Sequence, residues 1–232
     1  MDDDDFRSPS FFISYHVSVK VIRLLGSSLL PSSITINLGI ERTEDSEDSE
    51  VELGINKTRY WFENIVSRCV AVNQASEIAL ALLIDKDGSP KFNNPLMLCP
   101  DDPRDEVLAA LFQAKAQALG SGAYEVVCVD IESDTLKGLS FSLGGDHSIF
   151  MPKTVEEWIG QTSFFETPWW GRDDASTFDL FASEDVDTSS PPAWAYSLDF
   201  LDSSTKAIKA PKSATVYKFK PVVINCGDEE KK

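Results

Sequence analysis

Cysteine is scarce and unpaired in this chain. Cys69, Cys99, Cys128 and Cys226 are the four, and none stands in a C-x-x-C spacing. Zinc ribbons and thioredoxin-type redox sites need that spacing and have no support here. Three of the four lie in apolar runs, where a thiol packs as a small hydrophobe. A reduced protein without disulfides is therefore expected. Basic residues are also few, with 21 Lys and Arg against 38 Asp and Glu and a net charge of −17. Neutralising phosphates takes clustered Lys and Arg, so direct nucleic-acid binding is not expected, and neither is an anionic membrane surface. No apolar run approaches the roughly 18 residues of a bilayer span. The start, Met-Asp-Asp-Asp-Asp, is the opposite of a signal peptide's basic start, and a cytoplasmic protein is the expectation. A G-x-S-x-G elbow and a G-x-G-x-x-G loop are both missing, and Gly144-Gly145 lacks the Lys and Ser or Thr of a phosphate loop. Of the two histidines, His16 falls on the polar face of a strand and His147 follows a glycine turn. Nothing in the sequence pairs either with a nucleophile.

What is present is enough to build a core: 42% of the 232 residues are hydrophobic. Residues 1–10 read as an acidic flexible tail, 11–225 as a single α+β domain and 226–232 as a polar tail. A subdivision into a β-rich part (11–56), an α/β core (57–160) and an irregular and β part (161–225) is possible. Ile13, Tyr15, Val17, Val19 and Val21 alternate with Ser14, His16, Ser18 and Lys20. Ile34, Ile36, Leu38 and Ile40 repeat the alternation. Period two predicts a pair of strands with one wet face, paired like a hairpin and joined through Gly26-Ser27-Ser28 and Pro31-Ser32-Ser33.

Residues 41–52 are densely acidic and predict a solvated loop. Asn56 predicts the cap of a helix over about 57–71, with Trp61, Phe62, Ile65, Val66 and Cys69 as its apolar stripe. Ile78–Ile84 and Phe92–Cys99 predict strands around the Asp87-Gly88 turn. Asp102, Pro103 and Asp105 predict the start of a second helix over about 103–119, ended by Gly120 and Gly122. Tyr124–Ile131 comes next as a strand. Strict alternation puts Val127, Val129 and Ile131 on one face and Tyr124, Val126 and Cys128 on the other, so both faces are expected to be covered. Leu139, Phe141 and Leu143 mark another strand. Thr154 and Glu157 have capping-box spacing ahead of Trp158. Strands are also predicted near Trp194–Phe200 and Thr215–Asn225. These elements imply an α+β fold class: an antiparallel or mixed sheet with the two main helices packed on one side.

Three kinds of function fit these residues. The first is a non-enzymatic acidic protein that binds a basic protein partner. It would be an inhibitor, an immunity-type or antidefence factor, or a phage- or bacterium-encoded adaptor, acting through acidic loops and possible nucleic-acid mimicry. Its candidate contacts are Glu44, Asp45, Glu47 and Asp48 in one loop and Asp173, Asp174, Glu184 and Asp185 in another. Trp169 and Trp170 are candidate anchors, and their cluster with Phe164 and Phe165 reads either as a plug over the core or as an exposed patch. The basic stretch holding Lys206, Lys209, Lys212, Lys218 and Lys220 could pair with the acidic loops.

The second kind is an enzyme. Asp130-Ile131-Glu132 puts two carboxylates on one face of a strand end, where they could hold Mg or Mn. The fragment Val129-Asp130-Ile131-Glu132-Ser133-Asp134-Thr135-Leu136 resembles the first motif of DEDD-type 3′–5′ exonucleases. That resemblance implies a metal-dependent nuclease or phosphodiesterase using Asp130 and Glu132, with Phe178-Asp179 in the place of the middle motif. Tyr196-Ser197-Leu198-Asp199 would stand for the last, one residue short of the family's spacing. The family carries its first motif on an early strand, whereas here several elements precede it. The third kind is a structural or virion assembly protein, suggested by the long alternating strands.

Overall fold

Two long strands, each apolar at every second residue, form the centre of the molecule. The computed structural model describes residues 12–77, 95–136, 138–144, 151–160, 163–179 and 192–202. Strand β1 (Phe12–Leu25) pairs antiparallel with β2 (Ser28–Arg42) along their whole length. The connection is Gly26-Ser27 alone. Gly26 stands at φ +60°, the conformation a two-residue hairpin turn asks of its first residue. Pro31, Ser32 and Ser33 are thus part of β2, not of the turn. Pro31 is tolerated because β2 pairs only with β1 there, its pairing with the next strand starting at Ile34.

After β2 the acidic run does not stay a loop. Helix α1 (Asp48–Tyr60) starts inside it and continues as a π-helix over Trp61–Val66. Glu47 and Glu50 form a reciprocal capping box, and Asp48 and Glu50 lie in the first turn, where the helix dipole favours carboxylates. This corrects the expected 57–71 helix capped by Asn56: charges that repel in a loop are stabilising at a helix N-terminus. The chain leaves the helix at Arg68 (φ +79°) and enters β3 (Val70–Asn73). Strand β4 (Leu96–Cys99) lies beside β3 in parallel. Helix α2 (Asp105–Leu119) comes next, with Arg104 as N-cap in place of the expected Asp102, whose carboxylate instead accepts from Asn73. Strand β5 (Tyr124–Ser133) and β6 (Ser140–Gly144) complete one mixed six-stranded sheet in the order β4-β3-β1-β2-β5-β6. A short helix α3 (Val155–Ile159) opens with the expected Thr154–Glu157 capping box.

The main core lies between one sheet face and the two long helices. Val17, Val19 and Val21 of β1 and Ile34, Ile36, Leu38 and Ile40 of β2 meet Trp61, Phe62 and Val66 from the first helix and Leu108, Leu111 and Phe112 from α2. The α+β class with two helices on one side is the architecture observed. Strand β5 reaches this core by breaking its alternation. Gly39 pairs with Cys128 and Ile40 with Val126, so Val127 is an extra residue. The bulge puts Tyr124 and Val126 on the same face as Val129 and Ile131. The expectation that β5 is covered on both faces fails for this reason. A Cβ on Gly39 would stand 2.7 Å from the Phe12 ring and closer still to the Cys128 sulfur, so a larger residue opposite the bulge would have to displace both side chains.

The other sheet face divides in two. Beside β3 and β4 a small second core forms from Leu24, Val70, Val72, Leu96 and Leu98 with Trp158 and Phe178. Over β2, β5 and β6 the same face carries Thr35, Asn37, Asp130, Glu132, Ser140 and Ser142. The free edge of β4 is closed by Thr177, whose carbonyl accepts from Leu98 N at 3.0 Å and whose hydroxyl donates to Leu96 O at 2.5 Å. The expected strand at 194–200 is instead a turn, a single bridge from Ser197 to Asp174 and a 3-10 turn, Asp199–Leu201. The expected strands at Ile78–Ile84 and Thr215–Asn225, the start of the one at Phe92–Cys99, the Asp87-Gly88 turn, His147, Glu184, Asp185 and the lysines after 205 lie outside the described residues.

Candidate functional site

The bulge in β5 decides where Asp130 and Glu132 point. Both project from the sheet face away from the long helices, Asp130 half-buried and Glu132 exposed. A hydrogen-bonded row crosses three strands on this face. His16 Nε2 stands 3.0 Å from Ser14 Oγ, Ser14 donates to Asn37 Oδ1 at 2.9 Å, and Asn37 donates to Asp130 Oδ2 at 3.4 Å. Asp130 and Glu132 thus share one sheet face, and the hydrogen-bonded row ends on Asp130. Asp179 and Asp199 are not brought to them. Asp179 accepts from Trp169 N at 2.9 Å and pairs with Arg172, and Asp199 pairs with Lys57. Among the described residues no three His, Cys, Asp or Glu side chains are grouped so that they could hold a metal ion.

Charge of both signs is buried elsewhere, under the segment 163–179. Lys115 on α2 is fully buried. Its ammonium donates to Trp169 O at 2.9 Å, to Arg172 O at 2.8 Å and to Asp174 Oδ1 at 3.4 Å. Arg172 pairs with Asp174 at 2.9 Å and Asp179 at 2.6 Å, and its guanidinium lies 3.9 Å from the centre of the Phe165 ring. Burial opposes ionisation of Asp174, yet Lys115, Arg172 and two hydrogen bonds from Ser176 together outweigh it and hold its pKa below the usual range. At Asp179 burial outweighs Arg172, and the pKa is raised. Trp169 donates its indole N–H to Leu98 O at 2.9 Å and stacks on Trp61 at 6.1 Å between centroids. Trp170 is buried beside Trp158. Trp169 and Trp170 are therefore interior groups, while Asp174 is partly covered and keeps one side on the surface.

The Lys115 cage carries a pH dependence. Burial lowers its pKa to about 8, with Asp174 opposing the shift, whereas an unfolded lysine titrates near 10.4. Between these values the unfolded chain holds more protons at this residue than the folded one, so the contribution of Lys115 to stability grows with pH. Burial pushes Tyr15 and Tyr124 up to about 12. Above about pH 10 the unfolded chain releases phenolic protons that the folded one keeps, which lowers stability. Burial also keeps the Cys69 and Cys99 thiols protonated in the folded chain, so thiol ionisation in the unfolded chain opposes the lysine over the same range. The stability difference between wild type and Lys115→Met, read from urea unfolding, is therefore expected to move in favour of the wild type by about 2 kcal/mol from pH 8 to 10. A difference that stays level over that range would remove Lys115 as a source of pH dependence.

The exposed acidic residues gather at one end of α2. Glu44 and Asp45 occupy the turn after β2, Glu47 caps α1 and Asp48 opens it, and all four are exposed. Asp48 pairs with Arg42. A groove of about 370 Å³ is lined by Asp45, Glu50, Lys57 and the backbone of Gly120–Gly122. A second, of about 710 Å³, shares Ser121 with it and is lined by Glu166, Arg172, Asp173, Asp174 and Asp199. Lys57 joins them: its side chain is 5% exposed and reaches Asp199 at 2.7 Å and Asp173 at 3.8 Å. The pairing with Lys57 holds the Asp199 pKa low. The grooves together carry six carboxylates against Lys57 and Arg172. The carbonyl end of α2 adds partial negative charge at the same place.

Sequence reasoning missed Lys57, Tyr60, Tyr196 and Phe200 at this surface. Tyr196 and Phe200 flank Asp199 at a spacing of four, which was a usable signal. A third groove, of about 790 Å³, runs beside α2 over Ala110, Ala114 and Ala118 toward Met151 and Trp170. A scan against protein-family models found no match, and a search of curated proteins found no similar sequence. No helix among the described residues is long and apolar enough to cross a membrane.

Proposed function

We propose that this is a non-enzymatic binding protein that docks a basic region of a partner protein on the acidic surface at the C-terminal end of α2. One observation carries the reading. Asp45 and Glu50 from one part of the chain and Glu166, Asp173, Asp174 and Asp199 from another line two adjoining grooves with an excess of carboxylates. Most of these carboxylates face solvent, so they attract a basic partner at long range, and the attraction weakens with salt. An inhibitor, an immunity-type or antidefence factor, or an adaptor would use such a surface, and imitation of a nucleic acid's charge is one way for it to meet a basic enzyme.

The test uses side chains that hold no buried cation. A partner is recovered from a host lysate, and its association rate is measured with the wild type and with Glu44→Gln/Asp45→Asn/Glu50→Gln/Glu166→Gln. Association is expected to slow by about tenfold or more at low salt and to converge on the wild-type rate at high salt, with the dissociation rate little changed. Unchanged association at both salt concentrations would end the electrostatic reading.

A further inference from the structure

At the edge of the acidic surface three rings gather at the margin of the main core, against which Tyr60 packs. Tyr60 ends α1, Tyr196 precedes the bridge to Asp174, and Phe200 lies in the turn after Leu198. Tyr60 and Phe200 meet edge to face at 5.4 Å between centroids, and the Tyr196 hydroxyl lies near that of Tyr60. Tyr196 and Phe200 nevertheless stay 45% and 44% exposed. Exposed aromatics clustered beside polar groups mark binding surfaces more often than single exposed apolar residues do. Asp199, beside Phe200 in the chain, is 74% exposed, and Asp173, which shares Lys57 with it, is 61% exposed. Lys57 cannot occupy the rings, because its ammonium is buried on Asp199. Arg59 is turned to Asn56 Oδ1 at 2.8 Å. Among the described residues the cation–π contacts belong to Lys115 and Arg172, on other rings.

We infer that Tyr60, Tyr196 and Phe200 form a seat for a lysine or arginine side chain of the docked partner, with Asp173 and Asp199 as its counter-charges. The inference rests on the proposed docking surface and names the contact that gives it specificity. Ring faces attract a cation through their quadrupole, and carboxylates beside them add to the attraction. An apolar occupant would strip water from Asp173 and Asp199, two carboxylates that share the single ammonium of Lys57. A phosphate would be repelled, and a second copy of this chain would bring carboxylate against carboxylate.

Binding of fluorescein-labelled nona-arginine to the full chain, followed by anisotropy from low to high salt, tests the seat. Tyr196→Ala and Phe200→Ala should each weaken binding by about three- to tenfold at every salt concentration, leaving the slope of log Kd against log salt unchanged. Tyr196→Phe should bind as the wild type does, since the ring is what matters. The four-site variant at Glu44, Asp45, Glu50 and Glu166 should instead flatten the slope. Wild-type affinity in both alanine variants overturns the seat, and a flattened slope beside it leaves the docking surface standing. A slope unmoved by the four-site variant, with both ring variants weakened, overturns the docking surface and not the seat. No binding by the wild type at any salt concentration overturns both. Self-association of the wild type, lost in Phe200→Ala, overturns the seat by assigning the rings to a second copy.

Discussion

Asp105→Ala is expected to lower the unfolding free energy by about 3–5 kcal/mol, the cost of removing one partner from a buried ion pair. Arg23 and Asp105 are both almost fully buried and meet at 2.5 Å. The arginine comes from β1 and the aspartate from the first turn of α2. Ser133 at the end of β5 donates to the second Asp105 oxygen at 2.7 Å, and Arg23 also donates to Ser32 at 2.8 Å and Thr135 at 3.2 Å. The cluster ties helix and sheet together through groups that have left water. Alanine leaves the guanidinium buried without its counter-charge and takes a carboxylate from the positive end of α2. The paired replacement Arg23→Met/Asp105→Leu is expected to recover most of the loss, because well-packed apolar residues can replace a buried pair at little cost. Urea unfolding of the two single variants and the double variant forms the cycle. A loss below about 1 kcal/mol in Asp105→Ala would mean that water or a neighbouring group replaces the carboxylate.

Trp169→Ala is expected to cost a similar amount, about 3–5 kcal/mol, and to act first on the segment that carries it. The ring fills core space against Trp61 and Trp170, and its N–H satisfies Leu98 O on β4. Lys115 and Asp179 hold the same residue by its backbone. Removing the ring opens a cavity beside a buried ammonium, so residues 163–179 should become sensitive to protease in conditions where the sheet still resists. Cleavage no faster than in the wild type, with stability unchanged, would show that the indole is not part of the core packing.

Much of the fold was legible from spacing. The alternation in β1 and β2 reflects one covered and one wet face, a local requirement that every second residue records. Helix α2 showed itself in its alanines and leucines and in the glycines after it. The β5 bulge was not legible, because Val127 is as apolar as its neighbours. Only the pairing with Gly39 and Ile40 shows that it is the extra residue. The start of α1 was hidden for the opposite reason. Seven acids in residues 41–52 argue for a loop until the capping box and the dipole are counted. Of the candidate site, the acidic residues could be named in advance, but not which remain at the surface. Asp174 is spent on Lys115 and Arg172, while Asp173 beside it stays exposed.

The sequence by itself determined the class, the hairpin and the sign of the charge, because these are carried by periods and sums over neighbouring residues. The tertiary structure alone decided that Lys57 and Lys115 are buried, that Trp169 and Trp170 face inward, and that the two acidic stretches meet at Gly120–Gly122 beside Tyr196 and Phe200. Those outcomes depend on which groups lose water together, and partners from Lys57 to Asp199 are too far apart in the chain for any local pattern to record.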